Sequence, residues 1–175
     1  MNQKYIITGA PGTGKTSIIN ELKKRGFNCI DEISRDIIAE QSINNQKSLP
    51  WKNQIAFETK IANMRSKKYL TSPENCICFF DRSALDCIAY LELNNLKPTS
   101  EIIAKINICN FNKKAFYTPI WEEIYVKDNE RKEDIKRAKE IHEKIISIYK
   151  KKGYKLIRVP KLSITERANF IISEI

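Results

Sequence analysis

Eight consecutive residues near the start of the chain have the types and spacing of a phosphate-binding loop. The pattern G-x-x-x-x-G-K-S/T is matched in full by Gly9, Ala10, Pro11, Gly12, Thr13, Gly14, Lys15 and Thr16. Three of the chain's five glycines fall in it, and they let the backbone turn several N–H groups toward one anion. Lys15 is predicted to reach the β- and γ-phosphates of a nucleoside triphosphate, and the Thr16 hydroxyl to bind Mg²⁺. Ser17, the next residue, completes the predicted nucleotide-contacting segment.

A carboxylate follows the clearest buried-strand pattern of the chain. Asp81 comes directly after the apolar residues 77–80. A site of this kind needs a carboxylate at the tip of a buried strand to hold Mg²⁺ or its water ligands. Asp81 is therefore predicted to be the metal carboxylate, and the alternative is an aspartate that caps the next helix.

The residue after this carboxylate bears on the type of reaction. Hydrolytic motor ATPases usually carry a glutamate there to activate water, but here the residue is Arg82. Arginine can bind a phosphate but cannot abstract a proton, because its pKa stays above about 12. Arg82 favours phosphoryl transfer over hydrolysis, and an AAA-type motor is disfavoured by the chain length as well. The alternative is an arginine on a helix surface.

Two further charged residues complete the candidate catalytic set. Glu32 ends the predicted second strand, which is expected to lie beside the loop-bearing strand, and its carboxylate could accept a proton from an acceptor hydroxyl. Asp31 is the less favoured candidate for that role, and it could instead cap the next helix. Arg131 lies in the polar segment 121–132, a candidate lid whose closure would bring positive charge onto the transferring phosphoryl group. Surface charge is the alternative for Arg131.

The elements that must position these residues follow an alternating pattern. Short apolar runs alternate with longer helical patterns, which predicts a parallel sheet covered by helices. Strands are predicted over residues 4–8, 27–30, 76–80, 116–118 and 154–159. Helices are predicted over residues 15–25, 32–41, 50–69, 84–94, 100–109 and 133–152, with a last one capped by Ser163. A length of 175 residues fits a single domain over residues 1–175.

The net charge of the chain indicates which kinds of partner it could attract. Thirty-one Lys and Arg residues against 21 Asp and Glu give a net charge of +10, which attracts polyanions. The charge is spread along the chain, and several clusters fall at predicted helix ends, where cations are favourable. Charge alone therefore leaves a nucleic-acid partner open as the less favoured reading. No stretch approaches the roughly 18–20 apolar residues of a membrane span, and the apolar run at the start is too short for a signal peptide, so a cytoplasmic protein is expected.

Taken together, these residues resemble the NadR-like predicted ATPase/kinase group of P-loop proteins. The shared features, in chain order, are GAPGTGKT, Glu32-x-x-Arg35, Leu49-Pro50-Trp51, Phe80-Asp81-Arg82, Asp86-x-x-Ala89-Tyr90, Glu130-Arg131, Gly153-Tyr154 and Val159-Pro160. The resemblance implies a three-layer α/β P-loop NTPase fold, with a five-stranded parallel sheet, helices on both faces and a kinase-like lid. It also implies that Asp81 and Arg82 form the Asp-Arg pair of those kinases, that Glu32 is their acceptor-side acid, and that Pro160 lies near the nucleotide base.

The leading functional expectation is transfer of the γ-phosphoryl group of ATP, with Mg²⁺, to a nucleoside, a nucleotide or a nicotinamide-riboside-like acceptor. The alternative is a nucleotide-dependent switch or binding module, an ATPase or GTP-binding protein with an anionic lipid or protein partner. A standard GTPase is disfavoured, because the glycine expected three residues after Asp81 is Ala84, and N-K-x-D is not completed after Asn112-Lys113. The acceptor, the preference for ATP or GTP and the oligomeric state stay open.

Overall fold

The computed structural model describes residues 3–34, 37–38, 52–124 and 135–175. The strands in these ranges are β1 Lys4–Thr8, β2 Asn28–Ile30, β3 Cys78–Asp81, β4 Lys114–Tyr117 and β5 Lys155–Arg158. They form one sheet in the order β2-β3-β1-β4-β5, and every neighbouring pair is parallel. The predicted five-stranded parallel sheet is confirmed.

Helices connect the strands. The helices in the described ranges are α1 Lys15–Lys24, α2 Gln54–Thr71, α3 Asp86–Glu92, α4 Ser100–Asn107, α5 Ile135–Lys151 and α6 Ile164–Ser173. Ser163 caps α6 as predicted, in a capping box with Glu166. The predicted helix over 32–41 and the candidate lid over 121–132 fall partly outside the described residues; within the lid, Glu122–Ile124 form a short 3-10 turn. No helix in the described ranges has the length and apolar character that crossing a membrane requires.

The two faces of the sheet are covered by different helices, because successive side chains of a strand point to opposite sides. On β1, Ile7 packs with α1 and α6 through residues such as Leu22 and Ile171. Ile6 packs on the opposite side with α3 and α5, through residues such as Ile88 and Ile145. These two clusters make the three layers that the sequence predicts.

A third cluster packs α2 and α4 against α3. It contains Phe57 and Ile61 of α2, Leu91 of α3 and Ile102 of α4, all at most 5% exposed. Ile33, just after β2, and Ala84, just after β3, also belong to this cluster, so α2 and α3 lie beside the ends of these strands, where the candidate catalytic residues begin.

The position of β2 differs from the prediction. The sequence predicts β2 beside the loop-bearing strand β1. In the structure β2 pairs with β3, and β3 lies between β2 and β1, with Ile30 opposite Phe80 and Phe80 opposite Ile6. The order of strands in a parallel sheet is set by how the helices cross over, which the local pattern of a strand does not record. Glu32 therefore stands two strands away from the phosphate-binding loop, beside the end of β3.

Candidate active site

The loop between β1 and α1 has the geometry of an anion cradle. Gly9, Gly12 and Gly14 have φ angles of 140°, 78° and 82°, which side-chain-bearing residues rarely adopt. A Cβ at Gly9 would lie 2.6 Å from Oγ1 and 2.7 Å from the carbonyl oxygen of Thr118, so only glycine fits there. Because α1 begins at Lys15, its first N–H groups and its positive dipole end face the loop.

The outer part of the loop is fixed to the end of β4. Thr13 Oγ1 donates a hydrogen bond to the Ala10 carbonyl at 2.9 Å and lies 2.6 Å from Thr118 Oγ1. The Thr118 amide donates to the Thr8 carbonyl at 3.0 Å. No local sequence pattern marks Thr118, which positions the loop from the neighbouring strand.

Lys15 is held inside this loop. Its Nζ donates to the Ala10 carbonyl at 2.7 Å, and the residue is 6% exposed. Burial, together with the positive charge of Arg82, lowers the pKa of Lys15 to about 7. A phosphate group bound beside the amine would favour its charged form and raise that pKa again.

Thr16 and Asp81 meet across the strand pair β1 and β3. The Thr16 hydroxyl donates to Asp81 Oδ2 at 3.3 Å, and within the described residues the other carboxylate oxygen, Oδ1, is buried without a hydrogen-bond partner. Burial raises the pKa of Asp81 above its usual value, a cost that a nearby cation would offset. A hydroxyl and a partnerless carboxylate oxygen fit Mg²⁺, which prefers oxygen ligands. The alternative role of Asp81 as a helix cap is wrong, because α3 begins only at Asp86.

Arg82 points into the protein. It is 7% exposed, and its Nε lies 2.6 Å from Glu32 Oε2 while its Nη1 lies 3.2 Å from Asp86 Oδ1. The alternative of a helix-surface arginine is therefore wrong. Its φ of 73° is left-handed, which is costly for a side-chain-bearing residue and is usually maintained by strong surrounding contacts at functional sites.

Glu32 is the centre of an ionic cluster with two buried arginines. Its Oε1 accepts hydrogen bonds from the amides of Ile33 and Ser34 and from Arg65 Nη2, the last at 2.6 Å. Burial alone would raise the pKa of Glu32, but the positive charges of Arg65 and Arg82 hold it well below its usual range. Glu32 is thus a fixed anion at neutral pH, which also caps the helical turn that follows it.

Asp31, the alternative to Glu32, faces solvent. Its carboxylate pairs with Lys23 at 2.5 Å, and both side chains are more than a third exposed. The structure therefore separates the two adjacent acids: Glu32 lies inside beside Arg82, and Asp31 forms a surface ion pair.

Arg65 belongs to the site although the sequence analysis did not identify it. It lies on α2, is 8% exposed, and donates through Nη1 to the Ser83 carbonyl at 3.0 Å. The sequence does carry a signal for it. Arg65 follows Phe57 and Ile61 at intervals of four residues, so a charged residue occupies the core-facing side of an amphipathic helix.

Asp86 connects this cluster to the rest of the fold. It is fully buried, and its Oδ1 accepts from Thr8 Oγ1 at 2.6 Å while its Oδ2 accepts from the Ser83 amide at 3.0 Å and from the Tyr149 hydroxyl at 2.6 Å. Thr8 of β1 and Tyr149 of α5 thereby fix the carboxylate of Asp86, and that carboxylate holds Arg82 in place. In the sequence analysis it was only one feature of the family resemblance, and Tyr149 was not identified.

The remaining predicted residues are placed as follows. Ser17 lies exposed on the first turn of α1, and Pro160 is half-buried just after β5. Arg131 lies outside the described residues, so its role stays a prediction. Lys15, Thr16, Asp81, Arg82 and Glu32 lie along the C-terminal edge of three neighbouring strands.

The strand order, the glycine-rich loop and the carboxylate of β3 define a P-loop nucleotide-binding protein with a nucleoside-kinase-like fold. The chain belongs to the AAA_28 family, described as an AAA domain, whose model matches residues 4–167. A comparison with curated proteins gives no match.

Solved structures of kinases share the fold over nearly the whole chain. A deoxyadenosine kinase from M. mycoides with dCMP and dCDP is 19% identical, with a TM-score of 0.69, covering 98% of this chain and 97% of its own. A thymidylate kinase from Ehrlichia chaffeensis is 14% identical, with a TM-score of 0.68 and the same coverage.

A NadR protein in complex with NAD and AMP-PNP is also similar, at 16% identity and a TM-score of 0.68, and the match covers 99% of this chain but 49% of the NadR chain. The predicted resemblance to NadR-like P-loop proteins is confirmed. At these identities the likeness to solved structures concerns the fold.

Proposed function

We propose that the protein is a kinase that transfers the γ-phosphoryl group of ATP to a small acceptor of the nucleoside or nucleotide class. The observation that carries the proposal is the buried Arg82, which directly follows Asp81 and is fixed between Glu32 and Asp86. In this proposal a permanent positive charge, rather than a base for water, lies beside the carboxylate that would hold the metal.

On the donor side, Lys15 and the loop amides would bind the β- and γ-phosphates. Thr16 and Asp81 are the residues that would hold Mg²⁺, since a hydroxyl and a partnerless buried carboxylate oxygen adjoin there. When bound, Mg²⁺ neutralises charge on the phosphate oxygens. Because the pKa of Lys15 is lowered to about 7, a fraction of the molecules carry a neutral amine near neutral pH. Those molecules would take up a proton when an anionic ligand binds.

On the acceptor side, Arg82 would neutralise charge on the transferring group and Glu32 would orient the nucleophile. The acceptor oxygen forms a bond to the γ-phosphorus while the bond from that phosphorus to the bridging oxygen breaks, and ADP leaves. When the acceptor is a hydroxyl, its proton passes to Glu32. The proton then leaves Glu32 for solvent, because Arg65 and Arg82 hold the pKa of that carboxyl well below its usual range. Arg131 would add positive charge from the lid.

The names of the structural neighbours support the choice of acceptor class. They include a deoxyadenosine kinase, a thymidylate kinase and a NadR protein in complex with NR. An acceptor panel of nucleosides, nucleoside monophosphates and nicotinamide riboside covers this class.

The test is acceptor-dependent consumption of ATP. Purified protein with Mg²⁺ and ATP is incubated with each acceptor, ADP is measured by a coupled assay, and the phosphorylated acceptor is identified by mass spectrometry. We expect one acceptor class to accelerate ADP formation, and Lys15→Ala and Arg82→Ala to reduce transfer by about 100-fold or more. Glu32→Gln should also impair transfer. Asp31→Asn is its matched control, because the Asp31 carboxylate is adjacent in sequence but faces solvent. ADP formation at one constant rate with every acceptor, accompanied by free phosphate, would instead indicate a hydrolytic ATPase or switch.

A further inference from the structure

Two large apolar side chains, the most exposed ones among the described residues, lie at one edge of the sheet. Leu70 is 61% exposed in the last turn of α2, and Ile108 is 47% exposed directly after α4. Because α2 leads into β3 and α4 leads into β4, both helices end beside the N-terminal ends of these parallel strands. The phosphate-binding loop and Asp81 lie at the opposite, C-terminal edge. The apolar pair is therefore outside the candidate active site.

Contacts between the neighbouring residues hold these two helix ends together. The hydroxyl of Tyr69, which precedes Leu70, donates to the carbonyl of Asn110, two residues after Ile108, at 2.8 Å. Higher up, α2 and α4 pack against each other in the third cluster. Both apolar side chains are thus presented on a fixed part of the surface.

A group of lysines continues along the same edge. Lys113, just before β4, lies over the Tyr154 ring at 4.8 Å from its centroid. Lys151 ends α5, Lys152 follows it, and Lys155 begins β5. All four lysines are exposed. The basal surface is defined here as Leu70, Ile108, Lys113, Lys151, Lys152 and Lys155.

The positive charge of the basal surface is only partly balanced. Two acids lie at this edge: Glu74 is exposed in the loop before β3, and Glu174 ends α6, where its carbonyl accepts from Lys114 Nζ at 2.5 Å. Within the part of the chain that the structure describes, none of the four lysines forms an ion pair. The helix dipole favours lysines at the end of α5, but it does not account for Lys113 and Lys155 at the starts of strands.

The combination of charge and side-chain type identifies the partner. An anionic partner complements the lysines, whereas a second copy of the chain would place like charges face to face in a two-fold contact. Single-stranded nucleic acid stacks its bases on exposed aromatic rings, but Tyr69 and Tyr154 are half-buried and the exposed apolar side chains are aliphatic. Aliphatic side chains among lysines suit the interface of an anionic bilayer.

We propose that the basal surface binds the anionic surface of a lipid bilayer. Leu70 and Ile108 enter the boundary between headgroups and acyl chains, and the four lysines lie against the anionic headgroups. The inference goes beyond the proposed kinase activity and does not depend on it. Since the phosphate site lies at the opposite edge of the sheet, it stays open to solution in the bound protein.

Co-sedimentation with vesicles tests the proposal. The purified full chain is mixed with vesicles of phosphatidylcholine alone and with vesicles of equal parts phosphatidylcholine and phosphatidylserine. We expect at least about tenfold stronger partitioning onto the anionic vesicles, and weaker partitioning as the salt concentration rises.

Variants of the lysines test the charged part of the surface. Lys151→Gln combined with Lys152→Gln should weaken partitioning onto anionic vesicles about tenfold or more, since each lysine near the surface contributes about fivefold. Lys136→Gln combined with Lys161→Gln is the matched control. It removes the same charge from exposed positions at the C-terminal edge, and should change partitioning by less than about threefold.

Variants of the aliphatic residues test insertion. Leu70→Gln combined with Ile108→Gln should weaken partitioning about tenfold, because two apolar side chains no longer leave water. Leu162→Gln, at a 43% exposed position of the C-terminal edge, is the control and should have little effect. Thermal melting confirms that each variant folds.

A spectroscopic readout reports insertion directly. Leu70→Trp adds an indole to the basal surface, and subtraction of the wild-type signal removes the contribution of Trp51 and Trp121. The added emission should shift to shorter wavelength with anionic vesicles. Leu162→Trp, at the opposite edge, should show no such shift.

The outcomes decide between the partners. Equal partitioning onto both kinds of vesicle, or equal losses in the basal and control variants, would overturn the proposal. So would binding of a single-stranded RNA that depends on Lys151 and Lys152 in place of vesicle binding, which would assign the surface to nucleic acid. A dimer in sedimentation velocity that Leu70→Gln dissociates, again without vesicle binding, would assign it to a second copy. Each of these results leaves the kinase proposal standing, because acceptor-dependent ADP formation is measured without vesicles.

Discussion

Arg82 Nε lies 2.6 Å from Glu32 Oε2, although the two residues follow different strands of the sheet. Arg65, from α2, reaches the same carboxylate at 2.6 Å. Glu32 thus pairs with two buried arginines, and Asp86 pairs with Arg82 as well. Loss of Glu32 removes the charge that both arginines share, which leads to the first prediction.

Glu32→Gln should destabilise the fold as well as impair transfer. It leaves Arg65 and Arg82 buried without their shared counter-charge, and breaking a buried pair in this way costs about 3–5 kcal/mol. Asp31→Asn should cost no more than about 1 kcal/mol, because its pair with Lys23 is exposed. Urea unfolding of both variants measures the difference. Equal changes in the free energy of unfolding would show that the Glu32 cluster contributes no more than a surface pair.

Nucleotide affinity should depend on pH through Lys15. Its pKa is lowered from 10.5 to about 7 by burial and by Arg82, so in the free protein the amine loses its proton as the pH rises above about 7. Bound phosphate favours the ammonium form, so the affinity for AMP-PNP with Mg²⁺ should fall as the pH rises from 7 to 9, by at most about tenfold per pH unit.

Lys15→Arg supplies the control for this pH dependence, because arginine stays charged throughout the range. Titration of the nucleotide itself affects both proteins alike, so the difference between their profiles reports Lys15. Parallel profiles would show that the amine keeps its proton in the free protein.

The parts of the site that lie close together in sequence could be predicted, and the parts that depend on distant contacts could not. The glycine-rich loop with Lys15 and Thr16 is one continuous segment, and Asp81 and Arg82 are adjacent residues after one apolar run. Their local pattern is enough to predict their chemical roles. The same holds for the existence of the five strands, whose bounds differ from the predicted ones by one or two residues at most of their ends.

Arg65 and Tyr149 join the site through long-range contacts that a local sequence pattern does not record. Arg65 contacts Glu32 from 33 residues away, and Tyr149 contacts Asp86 from 63 residues away. Such pairs form only once the crossover order of the strands is settled, and that order was itself predicted wrongly for β2. Whether Arg82 lies on the surface or in the core depends on long-range contacts of the same kind, with Glu32 and Asp86.

Gly9→Ala should remove nucleotide binding and lower stability more than a matched glycine replacement. The new Cβ would lie 2.7 Å from the Thr118 carbonyl oxygen, a backbone atom that cannot rotate away. Gly26→Ala is the control, because its φ of +86° carries the same kind of strain while no atom lies within 4 Å of its Cβ. Melting temperatures with and without AMP-PNP compare the two. Similar melting temperatures for both variants would mean that Thr118 and the loop move apart at little cost.

Tyr149→Phe should lower the rate of transfer through its effect on Arg82. The hydroxyl donates to Asp86 Oδ2 at 2.6 Å and lies 2.8 Å from Ser83 Oγ, and its loss leaves buried polar groups with fewer partners, at a cost of about 1–3 kcal/mol. Asp86 also binds Arg82 at 3.2 Å, so a loosened carboxylate should loosen an arginine whose left-handed backbone needs support. The effect should appear in kcat with little change in the affinity for AMP-PNP, because the phosphate-binding loop is untouched. Tyr154→Phe is the matched control, since its ring packs against Tyr149 with a centroid distance of 5.2 Å that the change preserves. A loss of stability with kcat unchanged would show that the Tyr149 hydroxyl supports the core and not the position of Arg82.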